Sequence, residues 1–164
     1  MPRRTSALLC VLFLSGAASC SPSSVSGEDE NRLLMREMLA AVDSVDDFKM
    51  RRLMSPDIVI HFGTETLGAD DIVTLVENYY ESFPATRHDV DLIIARDDMV
   101  AARVCLHGKH EGVFRGFEPT GVEVTTPAMY FARVEDGRFV EWWATLDNLA
   151  MLEQIGLDLP PREP

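Results

Sequence analysis

Two hydrophobic periods divide this chain, and they come in order. Up to Phe83 the apolar residues mostly recur at helical spacing, with Leu34, Met38, Val42 and Val45 about one turn apart. Asp46 or Asp47 is placed to cap a second short helix through Met54, which Ser55-Pro56 ends. Asp57 to Phe62 interrupts as a β-branched strand. Asp70-Asp71 then opens a helix with a stripe at Ile72, Leu75, Val76, Tyr79 and Phe83, stopped by Pro84. From Arg87 the period changes to two. Val90, Leu92 and Ile94 fall on one face of a strand over 87–95, and further strands are expected over 100–106, 122–134 and 138–146. Asp136-Gly137 is a tight hairpin turn. A last short helix runs from Asn148 to Ile155, ended by Gly156. A chain that supplies helices first and long strands afterwards builds an α+β domain, its helices gathered on one face of a mostly antiparallel sheet.

Residues 1–19 are read apart from that domain. Arg3 and Arg4 precede an apolar run from Ala7 to Ala18, too short to span a bilayer, and Ala17-Ala18-Ser19-Cys20 has the small residues of a signal-peptide cleavage site. A cysteine at that point is also the pattern of a bacterial lipobox, with Cys20 acylated as the mature N-terminus. The expectation is export to the cell envelope with a lipid anchor; plain secretion is the alternative. Residues 20–29, rich in serine and acid, read as a flexible tether, 30–159 as the domain and 160–164 as a tail. The formal net charge of −12 becomes about −14 once Arg3 and Arg4 are removed, which repels phosphate backbones and argues against nucleic acid as a partner. Cys105 is the sole cysteine inside the domain, so no disulfide forms there.

The last third carries the most specific pattern: Gly108-Lys109-His110-Glu111-Gly112-Val113-Phe114-Arg115-Gly116, Pro119-Thr120-Gly121, Glu141-Trp142-Trp143, Asp147-Asn148-Leu149 and Leu152-Glu153-Gln154-Ile155-Gly156. This run resembles the SnoaL-like polyketide cyclases, or ester cyclases, of the nuclear-transport-factor-2-like superfamily. The resemblance extends upstream to about Asn31. It implies a cone-shaped fold with an interior cup, and intramolecular aldol chemistry on a carbonyl compound. A carboxylate takes a proton from carbon flanked by carbonyls, the enolate attacks a ketone, and the proton returns to the new alkoxide. Neither metal nor cofactor is required where substrate and pocket stabilise the enolate.

The resemblance points to Asp147 as the acid/base. Asp147 also stands immediately before a helical segment, so the alternative is an N-cap. His110 shares the parity of Val104 and Leu106 if their strand continues unbroken, at the mouth of the cup, where it could polarise a carbonyl. His61, ending the first strand, is a candidate ligand contact. Trp143, Tyr130, Tyr79 and Phe83 are either core or pocket wall. Adjacent residues in a strand face opposite sides, so one of Trp142 and Trp143 can enter the cup, and the resemblance favours Trp143. Glu141, on the parity of Trp143, would need a partner such as Arg133 or Arg103. The histidine spacings fit no compact metal motif. Two positions depart from the family pattern: many relatives carry histidine at Trp142 and a second acid at Ala144, so a paired-carboxylate mechanism lacks support there.

These readings converge on a cofactor-free cyclase, lyase or isomerase acting on a small apolar or aromatic carbonyl compound. The alternative is a non-catalytic, envelope-tethered binding or dimerisation module. A homodimer through the open sheet face is expected, with Met129, Phe131 and Trp142 as candidate contacts.

Overall fold

The computed structural model describes residues 27–158. The expected signal segment, Cys20, most of the tether and the tail lie outside them. Helix α1 (Gly27–Asp43) starts four residues earlier than the apolar period announces. Glu28, Asp29 and Glu30 occupy its first turn, where carboxylates favour the positive end of the helix, and Arg32 pairs back to Glu28 and Asp29. Helix α2 (Asp47–Leu53) is capped by Asp46, whose carboxylate accepts from the Lys49 N–H at 2.9 Å. Strand β1 (Met54–Phe62) begins before Pro56 rather than after it, with its pairing register broken between Met54 and Val59. A short strand β2 (Glu65–Leu67), not legible in the sequence, folds back on it. Helix α3 (Ala69–Ser82) follows, its first turn held by the Asp71 carboxylate on the Gly68 N–H.

Strands β3 (Arg87–Arg96), β4 (Met99–Lys109), β5 (Glu123–Glu135) and β6 (Arg138–Leu146), then helix α4 (Asn148–Gln154), complete the domain. The sheet order is β2-β1-β6-β5-β4-β3; β1 and β6 run parallel and every other pair is antiparallel. The α+β architecture is therefore as the element order implies. Helices α1 to α3 cover one sheet face, where the core gathers Met35, Met38 and Leu39 with Ile58, Ile60, Val100, Val104 and Ala132. A smaller cluster of Phe83, Val124, Met151 and Ile155 joins α4 to the start of β5.

Two β-bulges decide which side chains reach the covered face. In β3 the register shifts between Val90 and Leu92. His88 and Val90 point inward ahead of the shift and Ile93 after it, so Leu92 and Ile94 are exposed rather than sharing the face of Val90. In β6, Val134 pairs with Phe139 but Arg133 with Glu141, leaving Val140 as the extra residue. Phe139 is buried, and the parity beyond it reverses: Trp142 and Ala144 face the helices while Glu141 and Trp143 face away.

Candidate active site

Between the covered sheet face and the three helices lies a cavity of about 760 Å³. Its walls are apolar and aromatic. Met38, Met54, Ile60, Tyr79, Leu106 and Trp142 supply much of the lining, and the mouth is formed by α3 and the loop around Phe114. This volume falls in the range of pockets that enclose a small multi-ring ligand.

Set into this apolar wall is one connected polar group. His88, at the start of β3, reaches across to the end of α1, where its Nδ1–H donates to the Asp43 carboxylate at 2.5 Å. The His88 backbone N–H also donates to both Asp43 oxygens, at 3.2 and 3.1 Å, and the Tyr80 hydroxyl donates to the same carboxylate at 3.1 Å. The carboxylate only accepts, so Nδ1 carries a proton directed at it. In the neutral ring Nε2 then keeps its lone pair and is placed to accept from the Tyr130 hydroxyl, 3.1 Å away. The His88 side chain is 3% exposed, and His88, Tyr80 and Tyr130 all line the cavity.

Burial by itself would raise the Asp43 carboxyl, but the hydrogen bonds from His88 and Tyr80 and the attraction of His88 bring it below the ordinary value. Burial drives the phenols the other way: Tyr79 is pushed up to about 12, and Tyr80 and Tyr130 are raised further. All three stay protonated; the Tyr80 hydroxyl donates to Asp43, and the Tyr130 hydroxyl faces His88. An oriented imidazole with a carboxylate behind it and a hydroxyl in front is an acid/base unit able to move one proton at Nε2.

The two expected catalytic residues, Asp147 and His110, are not brought together. The Asp147 side chain accepts from the Ala150 N–H at 3.0 Å as the N-cap of α4; the residue is exposed and is not among those lining the cavity. His110 is fully buried behind the wall, stacked on Phe83 with ring centroids 5.1 Å apart. Its Nδ1 accepts from the Thr120 N–H at 3.3 Å and lies 3.1 Å from the Thr120 hydroxyl, while Nε2 has no partner among the described residues. Strand β4 ends at Lys109, yet His110 keeps the inward parity of Leu106 and Gly108, and its ring packs on Phe83 of the small second cluster, outside the cavity lining.

His61 lies on the open sheet face. Its Nε2 is 3.0 Å from Glu141, and its ring stacks on Trp143 at 5.2 Å. The placement of Trp143 in the cup is thereby corrected to Trp142, and the cause is the bulge at Val140. Glu141 takes Arg133 as a second partner at 3.5 Å, while Arg103 pairs with Asp91. Tyr79 and Tyr130 do line the cavity. Among the described residues no group of three or more histidine, cysteine, aspartate or glutamate side chains is placed to hold a metal ion.

His88 and Asp43 were not singled out by the sequence reading. A signal existed for His88: it shares parity with Val90, two residues on, and so belongs to the apolar face of the strand. The flanking Arg87 and Asp89 mask it as part of a charged run.

Residues 32–155 match the family described as SnoaL-like polyketide cyclase. The chain belongs to that family. Among solved structures, this SnoaL-like domain is similar to AclR from Streptomyces galilaeus, for which a hydroxylase role has been suggested: identity is 32% and the TM-score 0.74, over 79% of this chain and 98% of that one. It is also similar to IdmH from Streptomyces antibioticus, suggested to be a polyketide cyclase, at 30% identity and a TM-score of 0.70, over 76% of this chain and 96% of that one. A SnoaL-like protein from Jannaschia sp. CCS1 shares the fold at 22% identity, with a TM-score of 0.74 over 86% of this chain and 99% of that one. No curated protein matches the chain. The names given to AclR and IdmH describe different reactions, so likeness supplies the scaffold and the chemistry has to be argued from the site.

Proposed function

We propose that this SnoaL-like protein is an acid/base enzyme of cyclase type that acts on a small cyclic or aromatic carbonyl compound held in the apolar cavity. The observation that carries this reading is the Asp43–His88–Tyr130 hydrogen-bond chain, of which His88 and Tyr130 line the cavity. With a substrate seated, His88 Nε2 removes a proton from carbon next to a carbonyl. Once protonated, Nε2–H donates to the Tyr130 oxygen, and the Tyr130 O–H turns to the enolate oxygen, where negative charge has developed. The enolate carbon attacks a second carbonyl, closing a ring, and the new alkoxide recovers the proton from Nε2. No proton, electron or atom is left over, so the substrate and these side chains suffice. Asp43 keeps the tautomer and stabilises the imidazolium while it exists.

The acid/base step can be checked without the natural substrate, through deuterium exchange at C2 of α-tetralone followed by NMR. The native protein is expected to accelerate exchange. His88→Ala should lose at least about 100-fold of that acceleration, within the range for a lost general base. Asp147→Asn should retain it within about twofold with little change in stability, since asparagine caps as well as aspartate, whereas Asp147→Ala should lower stability by about 0.5–2 kcal/mol. The opposite pattern, with Asp147 essential and His88 dispensable, would restore the aspartate as the base. No acceleration by the native protein would make the cavity that of a binding module.

A further inference from the structure

The loop between β4 and β5 is pinned, and it presents one cation at the mouth of the cavity. Glu111 and Gly112 both donate their N–H groups to the Ser82 carbonyl at 3.0 Å, and the Ser82 hydroxyl donates to the Val113 carbonyl at 2.8 Å. At the far end Gly121 N–H donates to the His110 carbonyl and His110 N–H to the Val122 carbonyl. Phe114 and Phe117 exchange backbone hydrogen bonds at 3.0 and 2.9 Å, making a tight turn with Arg115 at φ +49° and Gly116 at φ +87°. The Phe114 ring is wedged against Phe83 at 5.0 Å and Tyr79 at 5.9 Å, and the Arg115 guanidinium rests over it at 5.6 Å.

Arg115 is thus preorganised by its ring, and its donor fork is free. It forms no ion pair among the described residues and is the sole arginine or lysine lining the cavity. Two carboxylates share the mouth. Asp71 is committed to the Gly68 N–H; Glu81 lies one residue before the Ser82 that anchors the loop, and it does not pair with Arg115. An unpaired, planar, stacked guanidinium beside an apolar cavity, in a chain of net charge −12, has the form of a reader for one anionic group.

We propose that Arg115 is the carboxylate-binding residue of this cavity, and that its ligand is a cyclic or aromatic compound with a free carboxylate at the end turned to solvent. The proposal rests on the acid/base reading only for which end of the ligand reacts: the ring system enters toward His88 and the carboxylate stays at the mouth. A neutral ester would leave the guanidinium without its bidentate partner.

Binding of anthracene-2-carboxylate and of its methyl ester, followed by quenching of tryptophan emission, tests this directly, since Trp142 forms part of the wall. The native protein is expected to bind the acid at least about tenfold more tightly than the ester. Arg115→Gln should remove that preference while leaving ester binding unchanged, and Arg115→Lys should recover only part of it. The Arg115-dependent share should weaken as salt is raised. An acid-to-ester ratio unchanged in Arg115→Gln, tighter binding of the ester by the native protein, or no binding of the acid would each overturn the assignment. Because the readout is binding without turnover, it can fail while His88 still supports exchange, and it can succeed where exchange is absent.

Discussion

Asp43 illustrates how one side chain ties the fold to the site. It ends α1, satisfies the His88 backbone N–H at the entrance to β3, and orients the imidazole. Its carboxyl sits below the ordinary value of 3.8 in the folded protein, so the ionised form is favoured by folding. A depressed carboxyl contributes stability that is complete above the unfolded value and disappears as pH falls through the folded one. Thermal melting from pH 7 down to pH 2.5 should therefore show a loss beginning near pH 4, and Asp43→Asn should lack that part of the loss while melting lower at pH 7. Equal acid sensitivity in both proteins would remove Asp43 from the account. At this scale the sequence was readable for local features and opaque for distant ones. Asp147 as a helix cap follows from its position before Asn148, but the meeting of Asp43 with His88 spans 45 residues and depends on α1 lying across β3.

Among the elements, pairing is what the sequence does not carry. Helix α3 and strands β5 and β6 come within a residue or two of their expected bounds, because their periodicities and turn residues are local, while β4 runs three residues past its expected end. The two bulges are different: an unpaired residue is defined by the neighbouring strand, and each one inverts every side chain beyond it. Val140 exchanges Trp143 for Trp142 in the cavity wall, and the shift after Val90 sends Leu92 and Ile94 outward. The β4–β5 loop shows a second kind of long-range dependence, at Gly112. A Cβ there would stand 2.5 Å from the Glu81 carbonyl oxygen and 2.9 Å from the Ser82 Cα, both backbone atoms of α3. Gly112→Ala must therefore lift the loop from the helix, at a cost of about 1–3 kcal/mol by analogy with overpacking elsewhere. Hydrogen exchange should rise at the amides of 111–115, and anthracene-2-carboxylate should bind more weakly because Phe114 and Arg115 move with the loop. An unchanged exchange pattern would mean that the loop is not held by this contact.

For the whole molecule, the uncovered sheet face is the feature that the cavity does not explain. Its strands bring Ile94, Ala101, Phe131 and Trp143 into one row through their pairing, with His61 completing it from β1. Leu92 and Met129 stand in the next row, on either side of Arg103. Leu92, Ile94, Met129 and Phe131 are each half exposed or more, a concentration of apolar surface that a solitary chain of this charge has no reason to keep. We propose a second copy of the chain as the partner of this face, because a two-fold axis would let the same rows cover each other. On this face Trp143 stands where Trp142 was expected, again through the bulge at Val140. Charge argues for the same arrangement: Glu141 is matched on its own chain by His61 and Arg133, and Asp91 by Arg103, so the polar residues bordering the apolar rows arrive already paired. Sedimentation at micromolar concentration should find a dimer. Met129→Glu with Phe131→Glu should convert it to a monomer, since four like charges would then crowd the shared face, and the tetralone exchange rate should hold because the cavity opens on the other side of the sheet. A native protein that sediments as a monomer would leave this face without a partner.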